Sequence, residues 1–158
     1  MIDMENISSL VPHRGKMLLL SKVNAYNLQE ERIEAEYHLT ENCLFYDPVI
    51  SGVPAWVGFE FMAQAISALS GIEDRENGRP PRMGFILSVS AMRIGLPFFG
   101  IGSTAQIKAK EIDCVDSVST FEGEIFLDGR KVLEGKLTVM EANDEKVRAL
   151  KEGRNASG

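Results

Sequence analysis

The sequence predicts an α+β fold in which a curved antiparallel sheet wraps around one long central helix. Three observations carry this reading. The stretch from Val49 to Leu69 is apolar or small on every side, with Glu60 its single ionisable residue; a helix of that kind is buried all round and needs a surrounding layer. Four strand-like runs follow it, at approximately 83–94, 102–113, 115–127 and 131–141, and two more precede it. With 158 residues, 44% hydrophobic and 25% charged, the chain has the composition of one domain with one substantial core.

Each element has its own justification. Residues 4–10 have the spacing of one or two amphipathic helical turns, which Pro12 ends ahead of a Pro-His-Arg-Gly turn. Met17-Leu18-Leu19-Leu20 is continuously apolar and leads through Val23 to Tyr26 as a first strand, before polar residues 27–31 reverse the chain. From Arg32 to Thr40 the alternation is clean: Ile33, Ala35, Tyr37 and Leu39 share one face, and Glu34, Glu36 and His38 the other. His38 therefore belongs in solvent. In the central helix Pro54 suits a first turn and Gly71 a stop, which leaves about four to five turns.

Residues 73–82 are polar and broken by glycine and proline, as a surface connection should be, and a β-meander is expected to follow. At Asp128-Gly129 a strict two-residue loop would set Ile125 against Val132 and mix the two faces. Counting Arg130 into the loop sets Ile125 against Leu133, Phe121 against Leu137 and Glu122 against Lys136, with Glu124 facing Glu134, so a bulged three-residue turn is predicted. The domain is expected to span 1–142, and the polar segment 143–158, which has no apolar stripe, to be a mobile tail. This order of elements is the hot-dog arrangement.

Composition excludes several function classes. A formal net charge of −6 without any Lys/Arg run disfavours nonspecific binding to nucleic acid or to anionic membrane. The helix is diluted by Gly52, Pro54, Gly58, Gln64 and Ser67 and has no basic flank, so no membrane span is expected. Met1–Asn6 carries no basic segment followed by an apolar core, which points to the cytoplasm. Cys43 and Cys114 are too few and too far apart for a zinc site or a disulfide framework, and are expected to be reduced packing residues.

Within the helix, Glu60 and Gln64 stand four residues apart on one face. A carboxylate in so apolar a setting is costly to desolvate and is a functional candidate; the alternative is a structural carboxylate capped by Gln64 or a backbone N–H. His13 lies in the Pro-His-Arg-Gly turn. Asp47 is chemically able to accept a proton, although an aspartate before proline also serves as a turn former. Tyr46, with an ordinary pKa of about 10, suits hydrogen-bond donation better than neutral-pH base catalysis. Arg75, Arg79, Arg82 and Arg93 cluster in or after residues 73–82, where they offer either a local basic patch or ordinary solvation.

Two segments, Leu10-Val11-Pro12-His13-Arg14-Gly15-Lys16-Met17-Leu18-Leu19-Leu20 and Gly52-Val53-Pro54 through Glu60-Phe61-Met62-Ala63-Gln64-Ala65, resemble the 3-hydroxyacyl-acyl-carrier-protein dehydratases. Pro-His-Arg-Gly combined with Gly-Val-Pro-Ala-Trp-Val-Gly is most similar to the thioester dehydrase-like branch of aryl polyene and related lipid pathways. The resemblance implies a hot-dog dimer, either a homodimer or higher oligomer or a heterodimer with a related dehydratase. It also implies acyl chains carried on the phosphopantetheine of acyl carrier protein as substrates, and neither metal nor redox cofactor.

In such enzymes a helix carboxylate from one subunit and a loop histidine from the other flank the 3-hydroxyacyl thioester. The histidine removes the α-proton and the acid assists departure of the β-hydroxyl. Glu60 matches the carboxylate, Gln64 the accompanying glutamine, and Ala55 the backbone donor at the helix start, where the positive dipole end favours enolate charge. Tyr46 and Trp56 are implied as further substrate-binding residues, and Arg79 and Arg82 as the carrier-protein docking patch. This sequence departs from the family at the loop histidine: where the family commonly reads His-Phe-Pro, an ungapped count back from Glu60 places Tyr46, and no histidine lies between 39 and 158. The base is left among His13, Asp47 and ionised Glu60, or on another subunit. The alternatives to dehydration are thioester hydrolysis, with Glu60 or Asp47 activating water, and a non-catalytic subunit completing a related dehydratase.

Overall fold

Strict alternation in the later runs dictates a single curved layer, and the computed structural model, which describes residues 2–13, 15–80 and 82–142, shows it. In chain order the elements are β1 (Ile2–Asp3), α1 (Met4–Ile7), β2 (Lys22–Asn27), β3 (Arg32–His38), β4 (Gly52–Pro54), α2 (Gly58–Glu76), β5 (Met83–Ile94), β6 (Phe98–Gly100), β7 (Thr104–Val115), β8 (Val118–Leu127) and β9 (Arg130–Ala142). A seven-stranded antiparallel sheet runs in the order β1-β2-β3-β7-β8-β9-β5, and β4 pairs with β6 in a separate ribbon. Inward-pointing Ile33, Ala35 and Tyr37 of β3, Ala105, Ile107 and Ala109 of β7, Phe121 and Ile125 of β8 and Leu133 and Leu137 of β9 pack on Phe61, Met62, Ala65, Leu69 and Ile72 of α2. Gly123 of β8 lets the helix come this close: a Cβ there would lie 2.3 Å from Met62 Sδ.

Several expectations need correction. The strand expected from Met17 is β2 and starts at Lys22; Gly15–Met17 is a 3-10 turn, and buried Leu19 and Leu20 pass through without strand pairing. The central helix starts later and ends later than its apolar run. Residues 52–54 are extended because Gly52 backs onto β6, where a Cβ would meet Phe99 O at 2.5 Å; a 3-10 turn over Ala55–Val57 then leads into α2. Gly71 does not stop the helix. It sits under the chain at Leu10, whose carbonyl oxygen a Cβ would approach to 2.1 Å, and α2 continues to Glu76.

Of the long strands after α2, β7, β8 and β9 form the meander, while β5 crosses to the far edge and pairs with β9. The turn at Asp128-Gly129 has two residues, both at positive φ, with Leu127 opposite Arg130. The extra residue lies one step further on, where the register shifts between Ile125 and Phe126, and this restores the expected pairs Ile125–Leu133, Glu122–Lys136 and Phe121–Leu137. Glu124 does face Glu134, and Lys131 Nζ bridges the two carboxylates at 3.5 and 2.8 Å. Cys43 is buried as a packing residue should be, whereas Cys114 is exposed. The expected mobile tail, 143–158, lies outside the described residues.

Candidate active-site groove

The helix expected to be covered on every side is open along one stripe. Phe61, Met62, Ala65, Ala68, Leu69 and Ile72 are buried, but Glu60, Ala63, Ser67 and Ser70, spaced three and four residues apart, are half-buried. Over this stripe lies a groove of about 540 Å³, walled by Ile66, Leu69, Phe85, Ile86, Phe121 and Val139. That volume is usual for a small-molecule site, and the apolar wall is interleaved with serines and carboxylates. Glu60 stands toward the helix N-terminus and Glu73 lies toward its other end, about 20 Å away along the axis.

Glu60 occupies the first turn of α2, where the helix dipole favours a negative charge by about 0.3–1 kcal/mol. Among the described residues its carboxylate has no hydrogen bond or ion pair. Gln64 does not cap it. The Gln64 side chain is 1% exposed; its Oε1 accepts the Leu19 N–H at 2.7 Å and its Nε2 donates to the Met17 carbonyl at 2.8 Å. The expectation that Gln64 binds substrate is thus corrected: its amide supplies the strand-like hydrogen bonds that residues 17–19 lack. His13, in the connection between α1 and β2, is half-buried and lines the same groove as Glu60.

The other expected site residues lie elsewhere. Asp47 is a turn former: its Oδ1 accepts the Val49 N–H at 2.9 Å, and its backbone pairs with Gly52. Its carboxylate is outside the groove lining. The Ala55 N–H donates to the Pro97 carbonyl at 3.2 Å, so its role as a free oxyanion donor is also corrected. Tyr46 packs half-buried against the core, and Trp56 is 52% exposed between Phe45 and Phe59, 5.8 and 6.3 Å away between ring centres. Neither lines the groove within this chain.

Arg79 and Arg82 both pair with a buried carboxylate. Asp74, 1% exposed, accepts Arg79 Nε at 2.6 Å, Arg82 Nε at 2.7 Å and the Arg82 N–H at 2.9 Å. Arg82 also reaches Glu73 at 3.3 Å and Glu141 at 2.7 Å. Three carboxylates therefore offset two guanidinium groups, and the expected basic docking patch is neutralised where it stands. Sequence reasoning missed Ser67, Ser70, Glu73, Phe85 and Ile86 as groove residues. The recurrence of small and polar residues at 60, 63, 67 and 70 was the signal for a differently exposed stripe.

A family profile described as ApeP-like, ApeP dehydratase, matches residues 5–151. The chain belongs to the ApeP-like dehydratase family. Among relatives, the 3-hydroxyacyl-[acyl-carrier-protein] dehydratase FabZ of Chlamydia caviae is 31% identical over 138 residues, which cover 78% of this chain and 89% of the relative. The FabZ of Chlamydia trachomatis is 26% identical over 149 residues, 92% of this chain and 96% of the relative. Among solved structures, a chain of the dehydratase heterocomplex ApeI:P from Xenorhabdus doucetiae superimposes with a TM-score of 0.82 at 25% identity, over 91% of this chain and 95% of that one. A putative thioesterase from Ralstonia eutropha, 19% identical with a TM-score of 0.57 over 75% of this chain and 82% of its own, shares the hot-dog fold alone. Membership of the ApeP-like family accords with the fold and with the resemblance carried by the Pro-His-Arg-Gly and Gly-Val-Pro segments.

Proposed function

We propose that this chain is a subunit of a dehydratase acting on 3-hydroxyacyl thioesters carried by acyl carrier protein, in fatty-acid or aryl-polyene-like biosynthesis. The observation that carries the reading is Glu60: a carboxylate without a partner among the described residues, on the uncovered stripe of a helix, inside a groove of about 540 Å³ with apolar and polar walls. In the reaction a base takes the proton from Cα and the C–O bond at Cβ breaks. Glu60 in its acid form gives its proton to the departing hydroxyl, so that water and a 2-enoyl thioester leave. The elimination is redox-neutral and needs no cofactor beyond the carrier's phosphopantetheine. Kinship with the FabZ dehydratases supports the substrate class.

Within the chain His13 is the base candidate that shares the groove with Glu60, and Asp47 is outside it. A second chain supplies the alternative source. β5 is a sheet edge of 12 residues on which Phe85, Ile86, Leu87, Val89 and Ile94 are 37–52% exposed. A long apolar edge of this kind is a pairing surface, and Phe85 and Ile86 also line the groove. The proposed partner is another copy or a related dehydratase that bears the loop histidine; the likeness to a chain of the ApeI:P heterocomplex supports the second. We place the protein in the cytoplasm; among the described residues no helix is long and apolar enough to cross a membrane.

Mass spectrometry of a 3-hydroxyacyl carrier protein incubated with this protein, alone and mixed with a histidine-bearing relative, tests the proposal. Dehydration removes the mass of one water from the bound chain. Release of free pantetheine thiol would instead show hydrolysis, and an unchanged chain in both incubations would refute catalysis.

A further inference from the structure

Among the described residues, the end of the groove remote from Glu60 holds more carboxylates than cations. Glu31 from the β2–β3 turn, Glu73 from α2, Glu111 from β7 and Glu141 from β9 line it, with buried Asp74 directly behind. Among the described residues the arginine that lines it is Arg82, which already binds Asp74, Glu73 and Glu141, and nearby Arg79 binds Asp74. Ser70 Oγ donates to Glu141 at 2.5 Å. Asp116 and Cys114 of the β7–β8 hairpin and His13 line the same cavity. Among the described residues Glu31 and Glu111 have no ion pair, yet they are tied together through the backbone: the Glu111 N–H donates to the Glu31 carbonyl at 2.9 Å. Glu31 also holds a φ of +50°, a left-handed conformation that is strained for a non-glycine residue.

We propose that Glu31 is a proton-operated latch on the remote end of the groove. As a neutral acid it lets the β2–β3 turn close onto α2, β7 and β9; as a carboxylate it drives that turn away from Glu73, Glu111 and Glu141. Burial foremost, then the charges of Glu73, Glu111 and Glu141, push the Glu31 carboxyl up to about 7, against the opposing pull of Arg82. The sign follows from linkage. An acid whose pKa is raised on folding favours the closed structure fully below its ordinary pKa, and that contribution is lost as pH rises through about 7. The remote end of the groove therefore opens above neutral pH, whatever ligand the groove takes.

The Glu111 amide reports the latch directly, because its hydrogen bond ends on Glu31. Hydrogen exchange on the full-length protein, corrected for the intrinsic pH dependence of exchange, should show Glu111 protection falling about tenfold between pH 6 and pH 8. Ile107 of the same strand should hold its protection over that range. In Glu31→Gln, which keeps the shape and removes the charge, Glu111 protection should stay flat. Equal pH dependence in wild type and variant would overturn the latch. Should the variant fail to fold, NMR titration of the wild-type Glu31 carboxyl decides: a midpoint near 7 supports the latch, and one in the ordinary carboxylate range overturns it.

Discussion

Gln64 shows how a single side chain fixes a stretch of backbone that has neither strand nor helix to satisfy it. Its amide accepts from Leu19 and donates to Met17, so Gln64→Leu leaves two polar groups without partners, at about 1–3 kcal/mol for each one that stays buried. Chemical denaturation should register that loss. Asp74→Ala removes the carboxylate that holds Arg79 and leaves Arg82 with Glu73 and Glu141 alone; since both arginines keep contact with water, the denaturation midpoint should fall by less than it would for a fully buried pair. Reversing Arg79 and Arg82 to glutamate would lower stability as well as any carrier affinity, so docking is better probed elsewhere. Glu60 was legible in the sequence because it is the one ionisable residue of an apolar run. Gln64 was not: its i, i+4 spacing from Glu60 places both on one face, but its amide turns to a segment 45 residues upstream.

At the scale of elements, alternation revealed β3, β7, β8 and β9 because each buries one face and a shift of one residue would expose it. Helix boundaries were harder to read. Gly71 has the sequence of a stop but serves a close crossing of the chain at Leu10, so Gly71→Ala should destabilise by about 1–3 kcal/mol through overpacking, measurable as a lowered unfolding midpoint. Gly129, at φ +77°, has open space around it; Gly129→Ala should cost about 1–2 kcal/mol from backbone conformation alone. β4 and β6, three residues each, are too short for periodicity to reveal, and their pairing depends on Gly52 backing onto Phe99. The crossing of β5 to the far edge is a property of topology, which local patterning does not carry.

For the whole molecule, the open stripe of α2 and the apolar edge of β5 support the proposal that a second chain completes the groove. Sedimentation should show a mass that grows with concentration, or a stable complex with a related dehydratase; a concentration-independent monomer in both settings would count against this assembly. The missing loop histidine makes the identity of the second chain decisive. The most direct test takes whichever assembly dehydrates a 3-hydroxyacyl carrier protein, homomeric or mixed, and replaces Glu60 with glutamine in this chain. Mass spectrometry of the carrier should then show the acyl chain retaining its water at the site Glu60 serves, with folding and acyl binding intact. Unchanged dehydration by the Glu60→Gln assembly would contradict the account and leave α2 as scaffolding.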